Sequence, residues 1–505
     1  MQAKLLTELS AFVHSKLPSA LAELPRSELC SLDAIESLGR DLCRGMLEQV
    51  FEAWKQTIER VALEVGLCCP GCGHERTCKR RSAHPMRIAL LGVELMVPKL
   101  YLECDGCEAP AVSITRLLTG LSSGDASGEL QVVAAYCAAE RSYGKSSREL
   151  EVHHGRGVER TAIRRMALEV ERHALAFAEA ERRTGLERVG QEQRQHGPAR
   201  LMVQGDGGIV RTGKLEVCVR GDPGYGKQTD KTGRPCRKRP TQFREIITLD
   251  VREPGETVAS ALDVVVPVMA PPGERSRRML ALAARKQLGD NTKVYGLGDM
   301  GSSLAESFDE AFVGYEATYC ADWKHTSDYV RSAAAVLVGL DAKRWNKAMK
   351  NALWHGVRRK ADALIERARQ HRVAELPTHL EKCPVHALGT YLTNNWERLR
   401  AKSFKEQGLD FVSGRAEAQV RERTKPRFCV PGAWRQENLE GKAVLRSIIA
   451  EGRWPRFRQS YLRTRREESR VAFEQRIERA VAEGRILPLH MHNLADFQEA
   501  LRPAA

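Results

Sequence analysis

No run of about 18 apolar residues occurs anywhere in the 505 residues, so no membrane span is expected. The first thirty residues (MQAKLLTELSAFVHSKLPSALAELPRSELC) contain no unbroken apolar stretch followed by a small-residue cleavage site. A secretory leader is therefore not expected there. No unit of roughly 20–50 residues recurs, which excludes a solenoid. Acidic residues are outnumbered: 65 Asp and Glu face 80 Lys and Arg, leaving a net charge of +15 and a pI near 9.3. Such an excess favours a polyanionic partner, nucleic acid before an anionic membrane surface. Cysteine, by contrast, is plentiful. Fourteen in a chain without a leader point to reduced thiols, some of them on metal, rather than a disulfide framework. The 42% hydrophobic content supports real cores, and the length suits about three domains at roughly 150 residues each.

Along the chain, 1–65 reads as an N-terminal helical region with a break at Pro25. Leu29, Leu32, Ile35 and Leu38 recur every three residues, then Leu42, Met46, Val50, Trp54 and Ile58 every four. This face is read as packing surface. A cysteine-bearing module follows at 66–110, a helical region at 123–190 and a strand-rich region at 198–326. Residues 327–405 are helical again, with Trp345, Met349, Leu353, Val357, Leu364 and Ile365 on the apolar face. Residues 406–475 mix short helices with arginines, and 476–505 form a tail.

Cys69-Pro-Gly-Cys72 and Cys104-Asp-Gly-Cys107 are two Cys-x-x-Cys pairs, each in a glycine turn that lets two thiolates face one ion. Four sulfurs suit tetrahedral zinc, so one structural Zn2+ is expected on a zinc ribbon. The intervening RIALLGVELMVPKLYLEC alternates as a hairpin should. Cys68, Cys78 or His74 are substitute ligands, and reduced cysteines without metal are the alternative. Lys79, Arg80, Arg81 and Arg87 would make the hairpin basic.

Residues 129–150 read as one or two helices, 152–157 as a glycine-bearing break, and Val158 onward as another helix. A short helix, a turn and a helix with exposed Arg and Thr is a helix-turn-helix pattern for a major groove, an ordinary helical hairpin being the alternative. Arg156, Arg160, Arg164 and Arg165 are its candidate DNA contacts.

In the strand-rich region, 201–210, 214–220 and 243–251 read as three strands. A helix at 275–288, a strand at 294–299, a helix after it and a strand at 315–322 follow. This β-β-β-α-β-α-β order is that of a ribonuclease H-like fold, in which the first strand lies beside the strand after the first helix. Asp206 and Asp299 would then converge. A third carboxylate is needed for a two-magnesium pocket, because in-line attack on a phosphodiester builds charge on both attacking and leaving oxygens. Ser413-Gly414 before a helix with Glu417 in its first turn is the candidate, with Arg421 on the same face. Glu437 and Glu440 compete for the role. Glycine beside each aspartate is read as room for nucleic acid to approach the backbone. Basic segments add phosphate contacts: 221–244 holds seven Lys or Arg against Asp222 and Asp230, and 418–470 holds fourteen Lys or Arg against six Glu. Arg237, Lys238, Arg239, Arg423, Lys425 and Arg427 are the candidates there.

Taken together, GDG at Asp206, strand-GLGD at Asp299, Asp322-Trp-Lys-His325 and SGRAE at Glu417 resemble the DDE transposases of bacterial insertion sequences, specifically the ISKra-type set within the Mutator-like group. Trp434 and the run at 444–457 are similar to that group's tail, and the likeness spans roughly 65–460. The resemblance implies a metal-dependent polynucleotidyl transferase. It would cut element ends with water and join the freed 3′-hydroxyl to target DNA. It implies a catalytic triad of Asp206, Asp299 and Glu417 on two Mg2+ or Mn2+ ions, and an auxiliary pair, Asp322 and His325, in a structural or positioning role. It also implies an all-helical insertion between the last strand and Glu417, double-stranded DNA as partner, a homodimer or larger active complex, and a bacterial, nucleoid-associated cytoplasmic location. The competing functions are a zinc-ribbon and helix-turn-helix DNA-binding protein without catalysis, and another ribonuclease H-like nuclease.

Overall fold

The computed structural model describes residues between 41 and 488; segments 57–66, 191–195, 222–228 and 371–382, and shorter stretches, lie outside the described residues. The chain is α/β and divides into two compact units. One draws on 1–138, 142–167 and 458–505, the other on 139–141 and 168–457. Among the described residues no helix is long and apolar enough to cross a membrane. The apolar periodicity at 29–38, with Leu42 and Ile58, falls outside the described residues, but 45–54 is helical, and Phe51 and Trp54 pack on Met86, Ile88, Leu95 and Val97.

In the first unit the expected hairpin is present. Met86–Ala89 pairs antiparallel with Glu94–Val97, and Arg76–Arg80 pairs with Leu100–Cys104. Leu100 and Leu102 are buried with Ile114, Leu117, Phe473 and Ala480. The helix Tyr143–His154 ends at Gly155 in the left-handed region (φ 69°) and is followed by the helix Arg160–Val189, whose residues up to 167 belong to this unit. The first is capped by Ser142, whose side chain accepts from the Lys145 N–H.

The second unit is built on a five-stranded sheet. Its strands are β1 (Arg200–Thr212), β2 (Gln242–Arg252), β3 (Ala261–Val265), β4 (Lys293–Gly298) and β5 (Ala317–Ala321), in spatial order β3-β2-β1-β4-β5. The β3–β2 and β2–β1 pairs are antiparallel; β1–β4 and β4–β5 are parallel. Helix α1 (Glu274–Arg285) precedes β4, and α2 (Leu304–Ala311) joins β4 to β5. Alternation sorts the side chains into two cores. Leu201, Val203, Val294 and Tyr319 pack with Met279, Leu282 and Phe308 on one face. Met202, Tyr295, Leu297 and Cys320 pack with Phe404 and Leu409 on the other.

One strand assignment is corrected. Leu215–Val217, expected as the second sheet strand, pairs instead with Cys236–Lys238 in a separate two-stranded ribbon. The third sheet strand is Ala261–Val265, every residue of which is buried. Burial on both faces erases the two-residue alternation by which a strand is read from sequence. The basic 221–244 stretch accordingly falls between the first and second sheet strands.

Helices α3 (Trp323–Ala335), α4 (Ala342–Trp354), α5 (Arg358–Arg369) and α6 (Pro384–Asn395) occupy the expected helical stretch. Trp345, Met349 and Leu353 are buried with Ile365, Leu388 and Tyr391. Val357 is exposed, because Gly356 (φ 66°) ends α4 before the periodicity reaches it. Helix α7 (Ala401–Glu406) and the six-residue helix α8 (Gly414–Gln419) follow, then α9 (Leu439–Ala450).

Candidate functional site

The register of three parallel strands sets the geometry. Gly205 of β1 is paired with Gly298 of β4, and Gly298 with Ala321 of β5. The next residue on each strand is an aspartate: Asp206, Asp299 and Asp322. By alternation all three belong to the face of Met202, Tyr295, Leu297 and Cys320, the face on which Phe404 and Leu409 pack. Asp206 and Asp299 are half-buried and Asp322 is fully buried.

Asp322 is hydrogen-bonded on both oxygens. Its Oδ1 accepts from the Lys324 N–H at 2.6 Å and so caps α3; its Oδ2 accepts from the Ser413 N–H at 2.9 Å and from the Ser413 hydroxyl. The Trp323 N–H donates to the Phe411 carbonyl at 3.1 Å, and Arg252 pairs with Asp410. These contacts fix the segment entering α8, which packs on β1 and β2 and carries Glu417. Lys324 Nζ lies 2.6 Å from both Glu417 oxygens, and His325 Nε2 lies 3.8 Å from one. The hydrogen bond to Glu417 raises the Lys324 pKa above the usual lysine range.

Asp322, His325 and Glu417 each offer a ligand atom within 4.8 Å of the others, and so form one of two groups among the described residues with the spacing of a metal site. Asp206 and Asp299 are not in that group. Their charges are felt by a carboxylate that the sequence did not single out, Glu245 of β2, which is paired with Ile209 and so belongs to the opposite face of the sheet from Asp206. Its pKa is raised by burial first, with the charges of Asp206 and Asp299 adding and Arg275 opposing. Of the competitors for the third carboxylate, Glu440 is committed to an ion pair with Arg278 at 2.5 Å, and Glu437 lies outside the described residues.

The glycines beside the aspartates also sit close to the protein's own side chains. A Cβ at Gly298 would meet the Tyr319 hydroxyl at 2.6 Å, at Gly205 the Leu304 side chain at 3.1 Å, and at Gly207 the Glu245 carboxylate at 2.4 Å. Neighbouring side chains of the protein occupy the space a Cβ would take.

The second metal-spaced group is Cys69, Cys72, Cys104 and Cys107. Cys69 and Cys107 sulfurs are 3.4 Å apart, Cys72 and Cys104 3.3 Å, and Cys104 and Cys107 3.6 Å. Bonds of about 2.3 Å to a tetrahedral ion bring sulfurs to about this separation, so the donor set fits zinc. Burial pushes the Cys69 thiol up, but the Gly71 backbone and the neighbouring cysteines prevail and hold it at about 6. At Cys72 the His74 backbone lowers the thiol, but Cys104, burial, Cys107 and Cys69 together push it up to about 12. Cys68, Cys78 and His74 are not in this group; the His74 ring lies against Gly106.

Among the candidate DNA contacts, Arg160 and Arg165 are exposed on the Arg160–Val189 helix and Arg164 is half-buried. Arg165 donates to the Gly124 carbonyl at 2.8 Å. Arg421 is exposed, whereas Arg427 is buried, its guanidinium 4.5 Å over the Trp434 ring. Arg237 and Lys238 lie in the two-stranded ribbon and Lys425 in the short helix Lys425–Phe428. Arg156, Arg239 and Arg423 fall outside the described residues. No protein-family model matches the chain, and no curated protein matches it.

Proposed function

We propose that the chain is a DNA transposase of the DDE type, a metal-dependent polynucleotidyl transferase with a ribonuclease H-like core and a zinc ribbon. The observation that carries this reading is the single row of strand ends that sets Asp206 beside Asp299, with Glu417 brought by α8 to the same face. The antiparallel β1-β2-β3 followed by the parallel β4 and β5 supports the core assignment. The four clustered sulfurs support the ribbon. Asp206 and Asp299 supply oxygens from a rigid sheet, where positional error is smallest. Glu417 supplies the third from α8. Asp322 is a positioning residue: one buried carboxylate caps the helix bearing Lys324 and His325 and tethers the start of the helix bearing Glu417. Bound magnesium or manganese would supply charge stabilisation at the attacking and leaving oxygens of a phosphodiester. The partner under this reading is double-stranded DNA, held in a dimer or larger complex that brings two ends together.

The test is strand cleavage of duplex DNA taken from the regions flanking the gene, in magnesium. Asp206→Asn, Asp299→Asn and Glu417→Gln should each lower cleavage by about 10²–10³-fold or more while duplex binding persists. Cleavage that survives all three changes together would overturn the assignment. A second reading, a DNA-binding protein without catalysis, is favoured by one observation: Glu417 is engaged by Lys324 and grouped with Asp322 and His325 rather than with Asp206 and Asp299. Full binding with no metal-dependent cleavage by the unaltered chain would decide for it.

A further inference from the structure

Beside the cysteine cluster, and within the same unit, lies an open groove of about 730 Å³. Its lining is apolar at Pro70 of the first knuckle and at Pro110 and Val112 just after the second, and it also carries three arginines, Arg116, Arg476 and Arg479, with Glu483 as the one carboxylate among the described residues lining it. Arg76, also in the lining, is buried and spent on the protein itself: it donates to the Leu102 carbonyl at 3.3 Å and the Pro110 carbonyl at 2.9 Å. That bonding pins the strand Arg76–Arg80 to the chain following Cys107 and fixes the apolar part of the lining.

Arg476 is held in place. Its Nε donates to the Leu117 carbonyl at 3.4 Å, and its guanidinium lies over Gly120, where a Cβ would stand 2.4 Å from the nearer nitrogen. Gly120 ends the helix Ile114–Thr119 in the left-handed region (φ 66°), so both its conformation and its lack of a side chain serve this contact. Partial burial draws the Arg476 pKa down. A preorganised, partly buried guanidinium sharing an open groove with two more is a receptor for an anion.

We propose that this groove is a backbone-phosphate subsite for a nucleic-acid strand. Arg116, Arg476 and Arg479 take successive phosphates, and the sugar edge runs along the prolines. The proposal rests on the DNA-binding half of the function proposed above and is independent of Asp206, Asp299 and Glu417. Phosphate contacts fix register without reading bases, so the subsite would set how the cysteine-bearing module sits on DNA rather than which sequence it prefers. It would also act on duplex and single strand alike.

The test measures the salt dependence of binding, by fluorescence anisotropy, of the full chain to a labelled duplex and to one of its strands. Each phosphate neutralised contributes about 0.9 to the slope of log affinity against log salt on duplex. The triple variant Arg116→Gln, Arg476→Gln, Arg479→Gln should lower that slope by about 2–3, with melting temperature and zinc content unchanged. Should the triple variant fail to fold, Arg479→Gln alone, at an exposed position, should still lower it by about 0.9. Ala111→Trp, which fills the groove without changing charge, should weaken binding several-fold. Slopes equal to the unaltered chain's in folded variants would overturn the groove proposal while leaving DNA binding intact. Displacement of DNA by millimolar inorganic phosphate at constant ionic strength would also overturn it, in favour of a free-phosphate site. Failure of the unaltered chain to bind DNA at all would instead overturn the functional reading, and this proposal with it.

Discussion

Lys324 sits where a cation is needed. Its ammonium contacts both oxygens of Glu417 at 2.6 Å, and the side chain is half exposed. An ammonium and a divalent ion cannot share that carboxylate comfortably. At about 4 Å and an effective dielectric near 20, their repulsion is about 4 kcal/mol for each unit charge on the ion. Under the proposed function, metal loading must therefore expel Lys324, and the released cation faces the strand held there. Lys324→Gln should tighten Mn2+ binding to the full chain by about tenfold or more, measured by titration calorimetry. Glu417→Gln should weaken it by a similar factor. If Glu417→Gln changes nothing, Glu417 is no ligand; if only Lys324→Gln changes nothing, the lysine does not compete. Residue by residue, the sequence made Asp206, Asp299, Asp322, His325 and Glu417 visible through short motifs. Lys324 stood inside one of them without a role, because nothing in a linear string says which carboxylate a flexible side chain will meet. Glu245 was invisible for a related reason: it belongs to a strand whose pairing with β1, not its own neighbours, brings it within the electrostatic reach of Asp206 and Asp299 from the other face of the sheet.

At the scale of elements, periodicity was the informative signal wherever one face of an element is exposed. The amphipathic helices around Trp345 and Leu353 and the alternating hairpin at 86–97 were legible for that reason. The all-buried strand Ala261–Val265 was not, since burial on both faces leaves no pattern to read; Leu215–Val217 was legible as a strand but not its pairing with Cys236–Lys238 in a separate ribbon. Tertiary ion pairs are equally silent in sequence. Glu171, on the Arg160–Val189 helix, and Lys442, on α9, form a contact at 2.5 Å with side chains 3% and 0% exposed, and Gly441 gives the approach its room. Burial pushes the Glu171 carboxyl up and the Lys442 amine down, with their mutual attraction opposing both shifts. Removing one partner leaves an uncompensated buried charge, so Glu171→Gln should cost about 3–5 kcal/mol in chemical denaturation. The double replacement Glu171→Leu with Lys442→Met should be near neutral, because the pair's own desolvation cost goes with it. A single variant no less stable than the unaltered chain would show that water reaches this pair.

For the whole molecule, the two units separate the two proposed metals: the four sulfurs lie in one, the carboxylates in the other. Zinc would serve folding in the first. There the strands Arg76–Arg80 and Leu100–Cys104 are short, and the core around Leu100, Leu102, Leu117 and Phe473 is small. A small core leaves the fold dependent on the metal's binding energy, which in isolated zinc modules is about 10–16 kcal/mol. Stripping the metal with a chelator should therefore remove hydrogen-exchange protection over 67–119 while 200–321 stays protected. The same process carries a pH dependence whose sign follows from the thiols. Without metal, Cys72 sits at about 12 and Cys107 is raised as well, so both are protonated at neutral pH and zinc must displace their protons. Affinity consequently falls as pH falls, by more than one decade per pH unit near neutrality, and steepens further once pH drops below about 6, where Cys69 also protonates. Zinc content measured by mass spectrometry against pH, with exchange followed in parallel, checks both statements. Loss of protection spread evenly through both units, or retention of zinc well below pH 5, would contradict a thiolate site that folds only its own unit.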